Sequence, residues 1–347
     1  MFFGCRCVCS FVSPTAKSTG VASKSVTADS SKAAEISTMQ GLSEDPVDLS
    51  TDVCVRNFRA ARGLSNIYRC AKTDGLARRL YANNHSNGEM LLLERAGLIL
   101  DLRSDSERSE KDSQTWMSRA PGGKFSVQRD SFSPPLSSER VVLRLDPLSP
   151  STFMAYLDKN WMTPQQKLKS NMYKIVDGKQ LHNLRMEVLN TKGLAGLNEA
   201  ILETGKHVLK EALTAIVLHL EKNPTSPVVI HCVQGKDRTG LSVMLCQSVL
   251  GISDDVIIDD YHLSESMLLD SSAVTDQLTA SVKVTGKIDK RVFSGAPREA
   301  MEATLSFLRS KYGSVSPGYL DAIGFHESWQ SRLKAVLGQS KAATSNL

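Results

Sequence analysis

The sequence lacks the features that mark several large protein classes. No apolar run approaches the roughly 18 residues that a membrane-spanning helix needs. The seven cysteines are an odd number and lie mostly far apart in 347 residues, which is typical of a reduced compartment rather than a disulfide framework. The net charge is only +5 and no basic stripe with interleaved aromatic residues occurs, so we expect no nucleic-acid partner. A hydrophobic content of 41% still predicts a globular protein with a sizeable core.

The first fifty residues (1–50) differ in composition from the rest of the chain. They are rich in Ser, Thr, Ala and Lys, and no acidic residue occurs before Asp29. A secretory signal is not expected, because Arg6 interrupts the apolar start. The composition predicts a disordered leader that serves as an organelle transit peptide, with a plastid favoured because arginine is scarce. Two alternatives are an ordinary tail on a cytoplasmic protein and a membrane tether made by lipidation of Cys5, Cys7 and Cys9.

Short apolar strands and amphipathic helices alternate over the rest of the chain. The pattern predicts strands over 53–59, 66–71, 98–104, 141–150 and 228–232, and helices over 200–223, 239–251, 254–269, 297–313 and 326–338. Residues 104–140 are rich in Ser, Pro, Gly and charge, which indicates a loop or a partly ordered insertion. We therefore predict one α/β catalytic domain over 52–338, with a mainly parallel sheet flanked by helices, and a disordered tail over 339–347.

The stretch "VVIHCVQGKDRTG" (228–240) carries a cysteine between a strand and a helix. A thiol is nucleophilic as the thiolate, and a free cysteine has a pKa of about 8.5. After Cys232 the chain turns, so the backbone N–H groups of Val233, Gln234, Gly235, Lys236, Asp237 and Arg238 are expected to converge on one point. The helix that follows directs its positive end there. Such a nest of amides binds an anion, either the thiolate or a phosphate.

The residues around the cysteine fit phosphate chemistry. Arg238 offers a planar fork for two phosphoryl oxygens. Thr239 is expected to donate its hydroxyl to the sulfur when the cysteine leaves phosphorus, and His231 to orient the loop. Gly235 allows close backbone approach, and Gly240 allows close helix packing.

The full motif H-C-x5-R-T-G resembles the phosphate loop of the cysteine-dependent protein tyrosine phosphatase superfamily. "HCVQGKDRTG" is similar to its atypical branch, which contains the mycobacterial protein tyrosine phosphatase B. Further similar segments are "NFRAARG", "IYRCAKTDGL", "LILDLRSDSE", "DYHLSE" and "YGSVSPGYLDAIGF", so the resemblance covers about 53–338. "NFRAARG" departs from the family's "NFRDLGG", so that turn is expected to be built differently. The resemblance implies a tyrosine phosphatase fold and hydrolysis of phosphomonoesters through a phosphocysteine, without metal or cofactor.

Three aspartates are candidates for the general acid that protonates the leaving oxygen, since the Trp-Pro-Asp tripeptide of ordinary tyrosine phosphatases does not occur. Asp237 lies beside Arg238, where myotubularin-type lipid phosphatases also have Asp. Asp101 ends a strand, and the resemblance implies that it is the acid or the partner of the loop arginine. Asp146 is followed by proline, as in dual-specificity phosphatases. We favour Asp237 and Asp101 over Asp146.

Lys236 is expected to add a second cation at the pocket mouth, as in inositol-lipid phosphatases. Both phosphotyrosine proteins and phosphoinositides are therefore candidate substrates. Arg103 and Arg69 either add positive charge or pair with structural carboxylates. Residues 151–198 fall where mycobacterial relatives have a helical lid, so we expect a cover over the pocket.

Two other functions compete with this interpretation. One is a catalytically weak module of the same fold that binds phosphorylated ligands, but Cys232, Arg238 and Thr239 are all intact. The other is a sulfur transferase or arsenate reductase, for which no resolving cysteine occurs near the loop in sequence. Cys246 is expected to pack in the core.

Overall fold

The fold is a six-stranded sheet covered by helices on its faces. The computed structural model describes residues 55–73, 92–93, 95–108, 125–135, 139–269 and 289–338. The strands are β1 (Arg59–Ala60), β2 (Ile67–Cys70), β3 (Leu98–Asp101), β4 (Phe125–Arg129), β5 (Arg140–Arg144) and β6 (Val228–His231). Their order is β1-β2-β6-β3-β5-β4, and all neighbours are parallel except β1 and β2. The predicted mainly parallel α/β fold is confirmed.

Ten α-helices with defined bounds occur in the described residues, and a π-helical turn spans Val315–Tyr319. They are α1 (Pro150–Asn160), α2 (Pro164–Val176), α3 (Gly178–Thr204), α4 (Lys206–Lys222), α5 (Asp237–Val249), α6 (Asp254–Leu269), α7 (Lys290–Phe293), α8 (Arg298–Tyr312), α9 (Leu320–Ala322) and α10 (Glu327–Gly338). A single 3₁₀ turn spans Asp105–Glu107 in this part of the chain. None of the described helices combines the length and the apolarity that crossing a membrane requires.

Strand β6 is buried on both faces of the sheet. Val228 and Ile230 pack into the larger core with helices α4 and α5, while Val229 packs into a smaller core with Val55 and Leu93. Because both faces are covered, the strand is continuously apolar rather than alternating. This is the physical reason for the run "VVI" before the polar loop.

Three features differ from the sequence predictions. Strand β4 lies within 104–140, where a loop or insertion was predicted. Of the described part of the predicted strand over 53–59, only Arg59 belongs to a strand, because β1 spans Arg59–Ala60. The predicted helix over 200–223 is divided at Gly205, where a Cβ would lie 2.6 Å from the carbonyl oxygen of Pro147. The chain bends there because only glycine permits that approach.

The predicted leader and tail lie outside the described residues. Residues 1–50 and 339–347 therefore keep the interpretations that their composition favours. The segment predicted as a lid, 151–198, forms α1, α2 and most of α3.

The register of the parallel strands brings their polar ends together. Cys70 and Asp101 both lie level with His231, and Asp101 lies level with Arg144. Residues that follow these ends are therefore expected at one edge of the sheet, where ligands bind in open α/β folds. Cys232 directly follows His231, so it lies at this edge of the sheet.

Candidate active site

The loop after β6 is held close to the end of β2 at Gly235. This residue has a φ of +67°, and a Cβ at its position would lie only 2.2 Å from the carbonyl oxygen of Cys70. Both the backbone conformation and the close approach require glycine. The chain can then turn back within five residues and enter α5 at Asp237.

Side chains from the start of the domain bind the carbonyl oxygens of this loop. The amide of Asn57 donates to the carbonyl oxygens of Gln234 and Gly235, each at 3.0 Å. The guanidinium of Arg69 donates to the Gly235 carbonyl at 2.8 Å. Because the N–H group of a peptide points away from its carbonyl oxygen, the N–H groups of these peptides lie on the side opposite to Asn57 and Arg69. The anion-binding nest expected from the sequence needs such an orientation and stays a prediction.

Replacing Gly235 with alanine is expected to lower the free energy of unfolding by about 3 kcal/mol, because backbone strain and a backbone clash act together. The measurement is urea denaturation of the full chain. Gly251→Ala is the matched control, since Gly251 has a φ of +68° but no neighbouring atom within 4 Å of its Cβ position. It should lose only about 1 kcal/mol. Equal losses of unfolding free energy in both variants would show that the clash with the Cys70 carbonyl does not contribute to the destabilisation.

Cys232 lies at the bottom of the loop and is 3% exposed. The other two described cysteines differ from it. Cys70 packs in the smaller core on the opposite face of the sheet, and burial raises the pKa of Cys246 to about 12. Neither has the environment of a resolving or nucleophilic thiol. Among the described cysteines, only Cys232 lies at the N-terminal end of a helix.

Arg238 is oriented by a carboxylate that the sequence analysis did not assign. Its two terminal nitrogens donate to the two oxygens of Glu107 at 2.6 and 2.8 Å, and Nη1 also donates to the Leu102 carbonyl at 3.0 Å. These bonds use three of the five N–H groups of the guanidinium. The Nε–H and one Nη2–H remain on the edge that faces away from Glu107. That edge is a fork of the kind that binds two phosphoryl oxygens.

Thr239 and His231, which flank the loop that begins at Cys232, are both buried. The hydroxyl of Thr239 makes no hydrogen bond among the described residues, so it is not yet engaged with the thiol. His231 lies with Nδ1 3.4 Å from the Cys232 carbonyl and Nε2 3.9 Å from Asp101. These contacts suit a residue that orients the loop.

Asp101 lies in a buried network of arginines. Its oxygens accept hydrogen bonds from Arg103 at 2.8 and 3.0 Å and from Arg108 at 3.2 Å. Burial alone would raise the pKa of Asp101, but the charge of His231 and the bonds from Arg103 outweigh it and hold the pKa well below its ordinary range. Such a carboxylate has no proton to donate. The expected pairing of Asp101 with the loop arginine is not found either, since Arg238 pairs with Glu107.

The other two aspartates have contrasting environments. Burial raises the pKa of Asp146, and the negative charge of Glu107 adds to the effect, while the Leu148 N–H bond and Arg238 oppose it. Asp237 is partly exposed, accepts a hydrogen bond from Tyr261 at 3.2 Å, and lies 3.6 Å from the Lys236 ammonium. Asp146 is therefore the candidate whose surroundings favour the protonated carboxyl.

Lys236 does not lie at the pocket mouth, where its charge was expected. Its side chain is buried, and Nζ donates to the carbonyl oxygens of Phe293 at 3.0 Å and Gly295 at 2.6 Å. The buried ammonium is stabilised by these oxygens and by Asp237. The ammonium thus connects the loop to the segment before α8.

Arg69 and Arg103 also pair with carboxylates. Arg69 donates to Asp260 at 2.5 Å, and Arg103 to Asp101. Of the two alternatives left open for these arginines, the structure shows pairing with structural carboxylates. They contribute to the site by fixing its backbone.

Sequence reasoning missed three residues that support the loop. They are Asn57, Glu107 and Asp260, which bind the loop carbonyls, Arg238 and Arg69 respectively. Each belongs to a segment quoted above for its resemblance: "NFRAARG", "LILDLRSDSE" and "DYHLSE". The resemblance marked these segments, but no local pattern indicates that they meet at one loop.

Comparison with known proteins agrees with the fold and the geometry of the loop. Residues 55–339 match the model of the tyrosine phosphatase family. The triple specificity protein phosphatase PtpB of Mycobacterium tuberculosis is 30% identical over 121 residues, which are 32% of this chain and 44% of that protein. A tyrosine-protein phosphatase of Nostoc commune is 32% identical over 117 residues, or 33% of this chain and 40% of the relative. Each match thus spans less than half of the relative's length. The family match covers most of the chain, and the chain therefore belongs to the tyrosine phosphatase family.

Proposed function

We propose that this protein is a phosphatase that hydrolyses phosphomonoesters through a phosphocysteine on Cys232, without a metal. The observation that carries the proposal is the fork of Arg238. Glu107 fixes the guanidinium so that, among the described residues, one pair of its N–H groups stays available, and Cys232 is close enough to interact with its charge. A phosphoryl group held by this pair and by the loop N–H groups presents phosphorus to the sulfur.

The reaction has two balanced steps. In the first, the Cys232 thiolate forms a bond to phosphorus, the ester P–O bond breaks, and Asp146 gives its proton to the leaving oxygen. In the second, water gives its proton to the Asp146 carboxylate and its oxygen bonds to phosphorus, while the S–P bond breaks. Inorganic phosphate leaves and the thiolate returns. The free hydroxyl of Thr239 is the donor that stabilises this departing sulfur.

The depth of the thiol favours phosphotyrosine as the substrate class. Cys232 is almost completely buried, so phosphorus reaches it most easily on a long, flat group such as a phenol ring. The names of the two relatives refer to protein phosphatases, which agrees with this choice. Phosphoinositides are the second candidate. The buried position of the Lys236 ammonium removes the charge on which that candidate first rested.

The test is an activity assay of the purified full chain in the presence of a chelator. Substrates are an aryl phosphate, phosphotyrosine and phosphoserine peptides, and a set of phosphoinositides. We expect turnover of the aryl phosphate and the phosphotyrosine peptides, and a phosphorus–sulfur adduct after acid quenching. Binding of phosphopeptides without turnover would favour the catalytically weak binding module. A requirement for added metal would contradict the proposed mechanism.

A further inference from the structure

Helix α2 presents an apolar stripe to solvent. Leu168, Met172, Ile175 and Val176 are exposed by 75%, 52%, 88% and 76%. Met172, Ile175 and Val176 lie four, seven and eight positions after Leu168, so the four side chains share one face of the helix. In the described residues, the other large apolar side chains with marked exposure, Val127 and Met267, lie on separate elements.

The orientation of α2 is the reverse of that of an ordinary surface helix. The side turned toward the protein carries Gln166, Ser170 and the partly buried Tyr173. The Ser170 hydroxyl is buried and has no hydrogen-bond partner in the described part of the chain. A surface helix normally buries its apolar face. A stable helix with this pattern is expected to bind an apolar partner through its outer face.

A lysine borders the apolar stripe on one side. At 100° per residue, Lys169 lies about 20° beyond one edge of the stripe, whereas Lys167 and Lys174 lie about 80° and 100° beyond the other edge. There, Lys167 donates to the Lys159 carbonyl at 2.7 Å, and Lys174 lies 3.4 Å from the Asp158 carboxylate. No acidic residue occurs from Pro164 to Val176. Lys167 and Lys174 line a groove of about 810 Å³ between α1 and α2, together with Lys159, Arg185 and Asp158. A partner of the stripe is therefore expected to be apolar in the middle and negatively charged beside Lys169.

We propose that α2 is a membrane-docking helix, with its apolar stripe in the interfacial layer of an anionic bilayer and Lys169 against the lipid headgroups. A helix of this amphipathic kind lies in the plane of the interface. Its 13 residues measure about 20 Å, so it lies on the bilayer and does not cross it. The proposal goes beyond the phosphatase activity, because it concerns where the enzyme acts.

Charge favours the bilayer over a second copy of this chain. In a symmetric dimer formed through the stripe, two copies of a helix that carries lysines and no acidic residue would face each other, and like charges repel. An anionic bilayer supplies both the apolar layer and the negative charge beside Lys169.

The test is sedimentation of the full-length protein with vesicles of phosphatidylcholine alone or mixed with phosphatidylserine. We expect binding to the mixed vesicles, weak binding to the neutral ones, and weaker binding at higher salt. The double variant Leu168→Ser/Ile175→Ser should lower the partition constant at least about tenfold. Lys169→Gln should lower it about fivefold.

Matched controls are Val127→Ser for the loss of an exposed apolar side chain and Lys334→Gln for the loss of one distant charge. Both should bind vesicles as the wild type does. Equal binding to neutral vesicles, full binding by the double variant, or concentration-dependent dimers through the stripe would each overturn the proposal. A change in kcat/KM of the double variant on a small aryl phosphate, with no vesicle binding in the wild type, would show that α2 is a lid. If the wild type binds vesicles but hydrolyses no phosphate ester, the proposed function fails and the docking surface stands.

Discussion

Replacing Cys232 with serine is expected to reduce kcat at least about 10⁴-fold while phosphate binding is retained. A serine hydroxyl keeps its proton at neutral pH and is a far weaker nucleophile than a thiolate, so its attack on phosphorus is expected to be very slow. The contacts that shape the loop come from Asn57, Arg69 and Glu107 and do not involve the sulfur. We therefore expect the variant to bind phosphopeptides with a Kd close to that of the wild type. Single-turnover kinetics and calorimetry measure the two quantities.

Cys246→Ser is the matched control for this experiment. Cys246 lies on α5, and burial raises the pKa of its thiol. It should keep near-normal kcat and lose some stability, because a hydroxyl is placed in an apolar core. If Cys232→Ser kept full activity, or if Cys246→Ser lost it, the nucleophile would be wrongly assigned.

Replacing Asp146 with asparagine is expected to slow substrates with poor leaving groups about 10²- to 10³-fold, with little effect on nitrophenyl phosphate. An alkoxide needs a proton as it leaves, whereas nitrophenolate is stable without one. The wild-type kcat/KM should fall as pH rises through the pKa of Asp146, because the acid then loses its proton. Burial raises this pKa, so the active form extends to higher pH than for an ordinary aspartate. The asparagine variant should lack this alkaline decline.

Two comparison variants identify the acid. Asp237→Asn keeps an acceptor for the Tyr261 hydroxyl but removes the negative charge 3.6 Å from the Lys236 ammonium, and it should slow good and poor leaving groups alike. Asp101→Asn deprives Arg103 and Arg108 of a buried partner, so it should lower stability as well as activity. A dependence on the leaving group in Asp237→Asn, and none in Asp146→Asn, would assign the acid to Asp237.

The sequence predicted the parts of the fold that depend on long apolar runs. Strands β2, β3, β5 and β6 and the helices over 254–269 and 297–313 lie where continuous or periodic hydrophobicity indicated. Strand β4 escaped prediction because its five residues mix Ser, Gln and Arg with two apolar ones. It is a strand because it pairs with β5, which is a tertiary effect. The break between α3 and α4 at Gly205 depends on the close contact with Pro147, and no local sequence pattern indicates it.

The candidate site likewise contains features that the sequence predicted and features that it could not predict. The loop from His231 to Gly240 is a local motif, so its residue types and spacing could be interpreted directly. The partner of Arg238 could not, because Asp101 and Glu107 lie six positions apart and either could in principle reach the arginine. Only the packing shows that Arg103 and Arg108 occupy the first carboxylate. Burial of the Lys236 ammonium by two backbone carbonyls was equally invisible in the sequence.

The hydrogen bonds that hold the loop after β6 join residues that lie far apart in the sequence. Asn57 binds it across 177 residues, Arg69 across 166 and Glu107 across 131. Contacts of such separation form only after most of the loop-closure entropy has been overcome. A fragment that contains the motif but not the first strands would therefore have no ordered phosphate site. Catalytic competence is expected to be among the last properties that the folding chain acquires.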